Sequence, residues 1–165
     1  MPSIYLSPST QEFNPYIIGG NEEYYMNLIA DAMEPYLYAS GISFTRNTPD
    51  MTAASSIAQS NMGNYDLHLA LHSNATGSGD GSRRGTEVYY YPTSVNGAKA
   101  AEIIANNLKL IYPLPQLVRT LPTTSLGEGQ ALCQRHCPDS TPSWTPSLNS
   151  FYALTPRSMP RSPYR

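Results

Sequence analysis

The segment Asp66-Leu67-His68-Leu69-Ala70-Leu71-His72-Ser73-Asn74 holds two histidines in a short apolar run. An imidazole at the end of such a strand, where a loop begins, suits metal binding. The plainer reading is a histidine hydrogen-bonded at a strand end. His68 and His72 share a face, being four residues apart. Four strand residues span roughly 13 Å, so the two cannot share one ion, and His68 reads as structural. Glu22 and Glu23 open a helix. Two acids there complement the helix dipole, or one turns into a crevice as an oxygen ligand. Cys133-Gln134-Arg135-His136-Cys137 lacks the paired Cys-x-x-Cys spacing and has no second half. No Gly-x-Ser-x-Gly elbow supports serine catalysis, and Gly77-Ser78-Gly79-Asp80-Gly81 lacks the lysine of a phosphate loop.

The elements that must position these groups follow from patterning. Ser3 to Leu6 is a buried first strand bounded by prolines. Ser7 to Gly20 is a loop of the length that carries function. Asn21 caps a helix in which Tyr25, Leu28, Ile29, Ala32, Met33 and Leu37 recur at helical spacing. It runs to Ser40-Gly41, with Pro35 inside it. Ile42 to Arg46 is a second strand. Asp50 caps a second helix over Ala53 to Asn61, with Ile57 and Met62 inward. Leu67 to Leu71 and Thr86 to Tyr91 are strands. Gly97 to Tyr112 is a helix with Ala101, Ile104, Leu108 and Ile111 on one face, and Leu117 to Leu121 is a further strand. The alternation implies one α/β domain of three layers, a mostly parallel twisted sheet with helices on both faces.

The pattern holds over residues 1–128 and then breaks. Residues 129–165 are rich in Ser, Thr and Pro, with prolines at 138, 142, 146, 156, 160 and 163. That spacing excludes a helix or central strand, and the stretch reads as a disordered tail. The break points to a change of reading frame after Glu128.

The bulk numbers bound the partners. A chain of 165 residues suffices for one domain with a real core. A net charge of -2 gives no reason to propose nucleic acid. No apolar run approaches the roughly 18 residues of a membrane span. Two cysteines make no disulfide framework. The N-terminal residues do not read as a secretory signal, so the expectation is synthesis in the cytoplasm and release by other means. The 13 tyrosines suit half-buried strands or a ligand groove.

The order of these elements resembles the zinc-dependent N-acetylmuramoyl-L-alanine amidases, of the catalytic type called amidase type 3, over about residues 3–128. Tyr65-Asp66 through Asn74-Ala75 resembles the family's strand ending in His-x-Asn-Ala, whose histidine binds zinc and maps onto His72. Asn21-Glu22-Glu23 resembles the helix start that supplies a ligand glutamate. Counting back from Leu28 favours Glu23, with Glu22 second. Phe44-Thr45-Arg46-Asn47, Ser60-Asn61 and Gly85-Thr86-Glu87-Val88-Tyr89 match in order.

Two departures stand out. The family's first histidine follows strand one, where this chain reads Ser7-Pro8-Ser9-Thr10-Gln11-Glu12. Gln11 or Glu12 would offer an oxygen there, as an altered site. The catalytic glutamate expected about a dozen residues past Glu128, and the last helix, have no counterpart. The resemblance implies zinc held by Glu23, His72 and Gln11. It implies a monomeric peptidoglycan hydrolase acting at the cell wall or spore cortex, as endolysin or autolysin, on the amide between N-acetylmuramic acid and L-alanine. This chain is expected to be weak or inactive. The rival readings are a cell-wall-binding relic without catalysis and an unrelated metal-free α/β binding module.

Overall fold

A computed structural model describes residues 1–16, 19–74, 84–125 and 149–156. Six strands form one sheet in the order β2-β1-β3-β6-β4-β5. They are β1 (Ser3–Pro8), β2 (Ser43–Arg46), β3 (Leu67–Asn74), β4 (Thr86–Tyr90), β5 (Val118–Pro122) and β6 (Asn149–Pro156). Every neighbouring pair is parallel except β4 with β6. Among the described residues three α-helices connect them: α1 (Glu22–Ala39), α2 (Ala53–Met62) and α3 (Val95–Ile111). No helix among the described residues is long and apolar enough to cross a membrane.

Crossover handedness sets the layers. Chain travel from β1 to β2 and from β2 to β3 goes in opposite directions along the sheet. Right-handed connections therefore put α1 and α2 on opposite faces. Strands β4 and β5 run the other way, which returns α3 to the α1 side. The packing agrees. Leu6, Leu69, Leu71, Val88 and Val118 meet Met26 and Ala30 of α1 and Ala101 and Ala105 of α3 in one buried cluster. On the other face, Tyr5 bonds Gln59 of α2 at 2.6 Å and His68 bonds Ser60 at 2.9 Å. The expected three-layer α/β domain is what the chain forms.

Helix faces differ from the simple pattern in instructive places. On α1 the buried residues are Glu22, Met26 and Ala30, at steps of four. Leu28, counted as inward, is 45% exposed. The apolar stripe of α1 is wider than the face that meets the sheet, so periodicity misplaces its centre. Helix α2 buries Ser56 and Ser60, while Met62 is exposed. Small hydroxyl residues form the buried face of α2, and Ser60 satisfies a buried ring nitrogen. Its cap is Thr52, in a reciprocal capping box with Ser55, rather than Asp50. On α3, Gly97, Ala101 and Ala105 are buried and Ile111 is exposed.

Strand β6 corrects the reading of residues 129–165 as a tail with no central strand. It pairs along its whole length with β3 and on its other side with β4. The prolines mislead because they bound the strand instead of interrupting it. Between Pro146 and Pro156 runs a stretch without proline, long enough for a strand, and Pro156 is its last residue. The rest of that stretch, including Cys133, His136 and Cys137, lies outside the described residues, as does the glycine-rich segment Gly77 to Gly81.

Candidate functional site

Strands β1 and β3 end side by side, and the N-terminus of α1 lies over their carboxyl ends. This is where open α/β sheets place a binding crevice. Helix α1 starts there because Asn21 accepts a hydrogen bond from the Tyr24 N–H at 2.8 Å. The amide of Asn21 also donates to the Glu12 carbonyl at 3.0 Å. Tyr16 stacks on Tyr25 with ring centres 4.7 Å apart. The β1–α1 loop is thereby fastened to the helix that it precedes.

Glu22 is the first residue of α1 and is only 1% exposed. Its Oε1 lies 3.0 Å from His72 Nδ1 and accepts from the Ser73 N–H at 3.2 Å. Its Oε2 accepts from Asn14 Nδ2 at 3.0 Å. Burial pushes the Glu22 carboxyl up, but hydrogen bonds from His72 and Ser9, the charge interaction with His72 and the Ser73 N–H outweigh it. The net result holds the group below its ordinary value of 4.5. The carboxylate is thus kept ionised in a buried position. His72 remains partly accessible, its side chain 15% exposed.

Gln11 reaches this group at one remove. Its Oε1 accepts from the same Asn14 amide that holds Glu22. Its N–H donates to Ser9 Oγ at 3.2 Å. The side chains of Ser9, Gln11, Asn14, Glu22 and His72 are therefore one connected polar cluster. Asn14 and Ser9 carry no motif. The sole hint was Asn14-Pro15, a turn signal in a loop long enough to be functional.

Glu23 is not part of the cluster. It is half-buried, and one residue of helix turns its side chain by about 100° away from Glu22. The residue that meets His72 is Glu22, in phase with buried Met26 and Ala30. Leu28, the reference used for counting, does not face the sheet. His68 is fully buried, stacks on Tyr5 at 5.1 Å and bonds Ser60, as a structural histidine does.

The donor set can be compared with what zinc requires. Two ligands each about 2.0–2.1 Å from a tetrahedral zinc stand ~3.3 Å apart. Glu22 Oε1 and His72 Nδ1 stand 3.0 Å apart. A carboxylate oxygen and an imidazole nitrogen at that spacing fit two corners of such a site. Among the described residues no third His, Cys, Asp or Glu completes a group. Among the described residues the nearby side-chain oxygens, such as Ser9 Oγ and Gln11 Oε1, are neutral.

Other resembling segments serve as braces. Arg46 of β2 bonds Asp31 and Glu34 at 2.6 Å each and Asn27 Oδ1 at 2.6 Å, tying the sheet edge to α1. Burial alone would lower the Arg46 guanidinium, but its two carboxylate partners raise it above the ordinary value. Buried Asn47 donates to the Pro8 carbonyl at 3.1 Å and to Ser56 Oγ at 3.0 Å, which fixes the end of β1 just before the site.

No protein-family model matches the chain, and no curated protein does. Solved structures do match. The N-acetylmuramoyl-L-alanine amidase AmiC2 of Nostoc punctiforme superposes with a TM-score of 0.65 at 15% identity, covering 92% of this chain and 77% of that one. The catalytic domain of the CD27L endolysin targeting Clostridia difficile gives 0.64 at 18%, covering 92% and 80%. The N-acetylmuramyl-L-alanine amidase Ami1 from Mycobacterium smegmatis gives 0.66 at 11%, covering 93% and 81%. The chain has the fold of the catalytic domains of N-acetylmuramoyl-L-alanine amidases.

Proposed function

We propose that this chain is a peptidoglycan-directed protein of the amidase type. Its site recognises the amide between N-acetylmuramic acid and L-alanine and takes a zinc ion at Glu22 and His72. The observation that carries the reading is the buried Glu22 carboxylate, held against His72 at the carboxyl ends of β1 and β3. A buried ionised acid facing an accessible imidazole is costly to maintain for stability alone. It is the arrangement that a cation needs.

In this mechanism Glu22 supplies the anionic oxygen and His72 the neutral nitrogen. Asn14 donates to Glu22 Oε2 and fixes the carboxylate plane, as outer partners of metal ligands do. Gln11 supplies a neutral oxygen where a stronger donor would bind more tightly. Bound zinc would polarise the amide carbonyl and activate water. Proton transfer to the leaving amine needs a further acid-base group within reach. Strand β6, beside His72, contains no acidic residue between Asn149 and Pro156. Hydrolysis by this chain is therefore expected to be slow, and binding is its stronger property. Site of action is proposed as the cell wall or spore cortex.

The test is release of free L-alanine amines from purified peptidoglycan, run beside a pull-down on the same insoluble material. The reading predicts zinc-dependent binding with little release. Absence of binding with and without zinc would contradict it.

A second reading is a metal-free binding module. The lack of a third acidic, histidine or cysteine donor among the described residues favours it. Metal analysis of the purified protein separates the two.

A further inference from the structure

The sheet register carries a second group into line with His72. His72 of β3 pairs with Leu154 of β6, Leu154 pairs with Glu87 of β4, and Glu87 pairs with Arg119 of β5. Residues paired across a ladder project to the same face. The face is the one opposite α1 and α3, because Val88 and Val118, next in their strands, are in the buried cluster with α3. His72, Glu87 and Arg119 therefore form a row across the sheet at one end.

Glu87 is 7% exposed. Its Oε2 accepts from the Tyr89 hydroxyl at 2.6 Å, and its Oε1 accepts from Arg119 Nη2 at 2.5 Å. The Arg119 side chain is 59% exposed. A long cation on an edge strand is ordinarily free to sweep. Here a buried carboxylate, itself fixed by a tyrosine, pins one nitrogen of the guanidinium. The fork has five N–H donors, and Nη2 to Glu87 leaves most of them facing outward. A pre-oriented guanidinium of this kind suits a carboxylate in two-pronged contact.

The distance says which carboxylate. Three strand spacings of about 4.8 Å separate the His72 and Arg119 positions, or ~14 Å. An extended peptide covers ~3.3–3.6 Å per residue, so ~14 Å is about four residues. We infer that Arg119, positioned by Glu87, binds the carboxylate of a muramyl peptide about four residues beyond the amide held at His72. The bound peptide then lies across β6 and β4 toward the sheet edge. This rests on the peptidoglycan reading above and adds a subsite that selects for stem length and a free acidic end.

Calorimetric titration of the full chain tests it, with an N-acetylmuramyl tetrapeptide carrying a free terminal carboxylate and the same compound amidated at that terminus. The wild type is expected to favour the free acid by about fivefold, the upper range for one ion pair at a solvent-facing site. Arg119→Gln is expected to bring that ratio to about one. Arg119→Lys, which keeps the charge but loses the fork, is expected to fall between. Equal binding of acid and amide by the wild type, or a preference that survives in Arg119→Gln, overturns the subsite while leaving the peptidoglycan reading intact. Failure of both compounds to bind the wild type removes the peptidoglycan reading and the subsite with it.

Discussion

Glu22 Oε1 lies 3.0 Å from His72 Nδ1 and also accepts the Ser73 backbone N–H. One carboxylate oxygen thus joins the first turn of α1 to the end of β3. The contact holds two secondary elements together and orients the imidazole. It also fixes how the protein responds to acid. Glu22 is held below its ordinary value of 4.5. Its contribution to stability is fully present above that value and is lost as pH falls through the lower folded value. Denaturant unfolding of metal-free protein between about pH 6 and about pH 3 is expected to show this loss. Glu22→Gln is expected to show a flatter profile. An identical pH dependence in both proteins would contradict the assignment.

Gly85 precedes β4 with φ at +117°, a conformation that side chains avoid. A Cβ there would run into the Leu117 carbonyl oxygen. Gly85→Ala is expected to destabilise the fold by about 2–4 kcal/mol, strain and clash together. Chemical denaturation measures it. A loss under about 0.5 kcal/mol, the ordinary range for an unstrained surface site, would mean that this close approach does not exist.

His68 and His72 should separate cleanly by experiment. His68→Ala removes a buried ring stacked on Tyr5 and leaves Ser60 without its partner. A cost of about 2–4 kcal/mol is expected, with zinc affinity unchanged in protein that remains folded. Zinc loss in folded His68→Ala would contradict the structural role given to this residue.

Ala153 tests the place of β6. It pairs with Leu71 on one side and with Val88 on the other. Proline there removes an N–H from the interior of a sheet, at a cost of about 3 kcal/mol or more. Ala153→Pro is expected to unfold or to aggregate through the freed edges of β3 and β4. Unchanged stability in that variant would show that β6 does not bridge them.

Most of the architecture was legible because long periodic segments announce themselves. The apolar run of β3 and the capped start of α1 pointed to the same crevice, and the structure sets His72 against the head of α1. The finer choice between Glu22 and Glu23 was not legible from Leu28, because a wide apolar stripe does not say which residues face the sheet. Met26 and Ala30 settle the phase, and one is an alanine that hydropathy counts weakly. Ser9 left no signal and Asn14 only the Asn14-Pro15 turn, since a loop without a motif fixes their partners. Strand β6 was hidden by counting prolines without measuring the gap between Pro146 and Pro156.

Zinc affinity in matched variants tests the proposed metal site at Glu22 and His72. Competition with a chromogenic zinc chelator on wild type, Glu22→Gln, His72→Ala and Glu23→Gln gives the comparison. Removing a ligand should cost more than the 10–100-fold typical of an outer partner. One bound zinc is expected in the wild type, with a loss of at least about a hundredfold in Glu22→Gln and in His72→Ala and wild-type affinity in Glu23→Gln. Wild-type protein without bound zinc, or variants at Glu22 and His72 that bind as the wild type does, would contradict it.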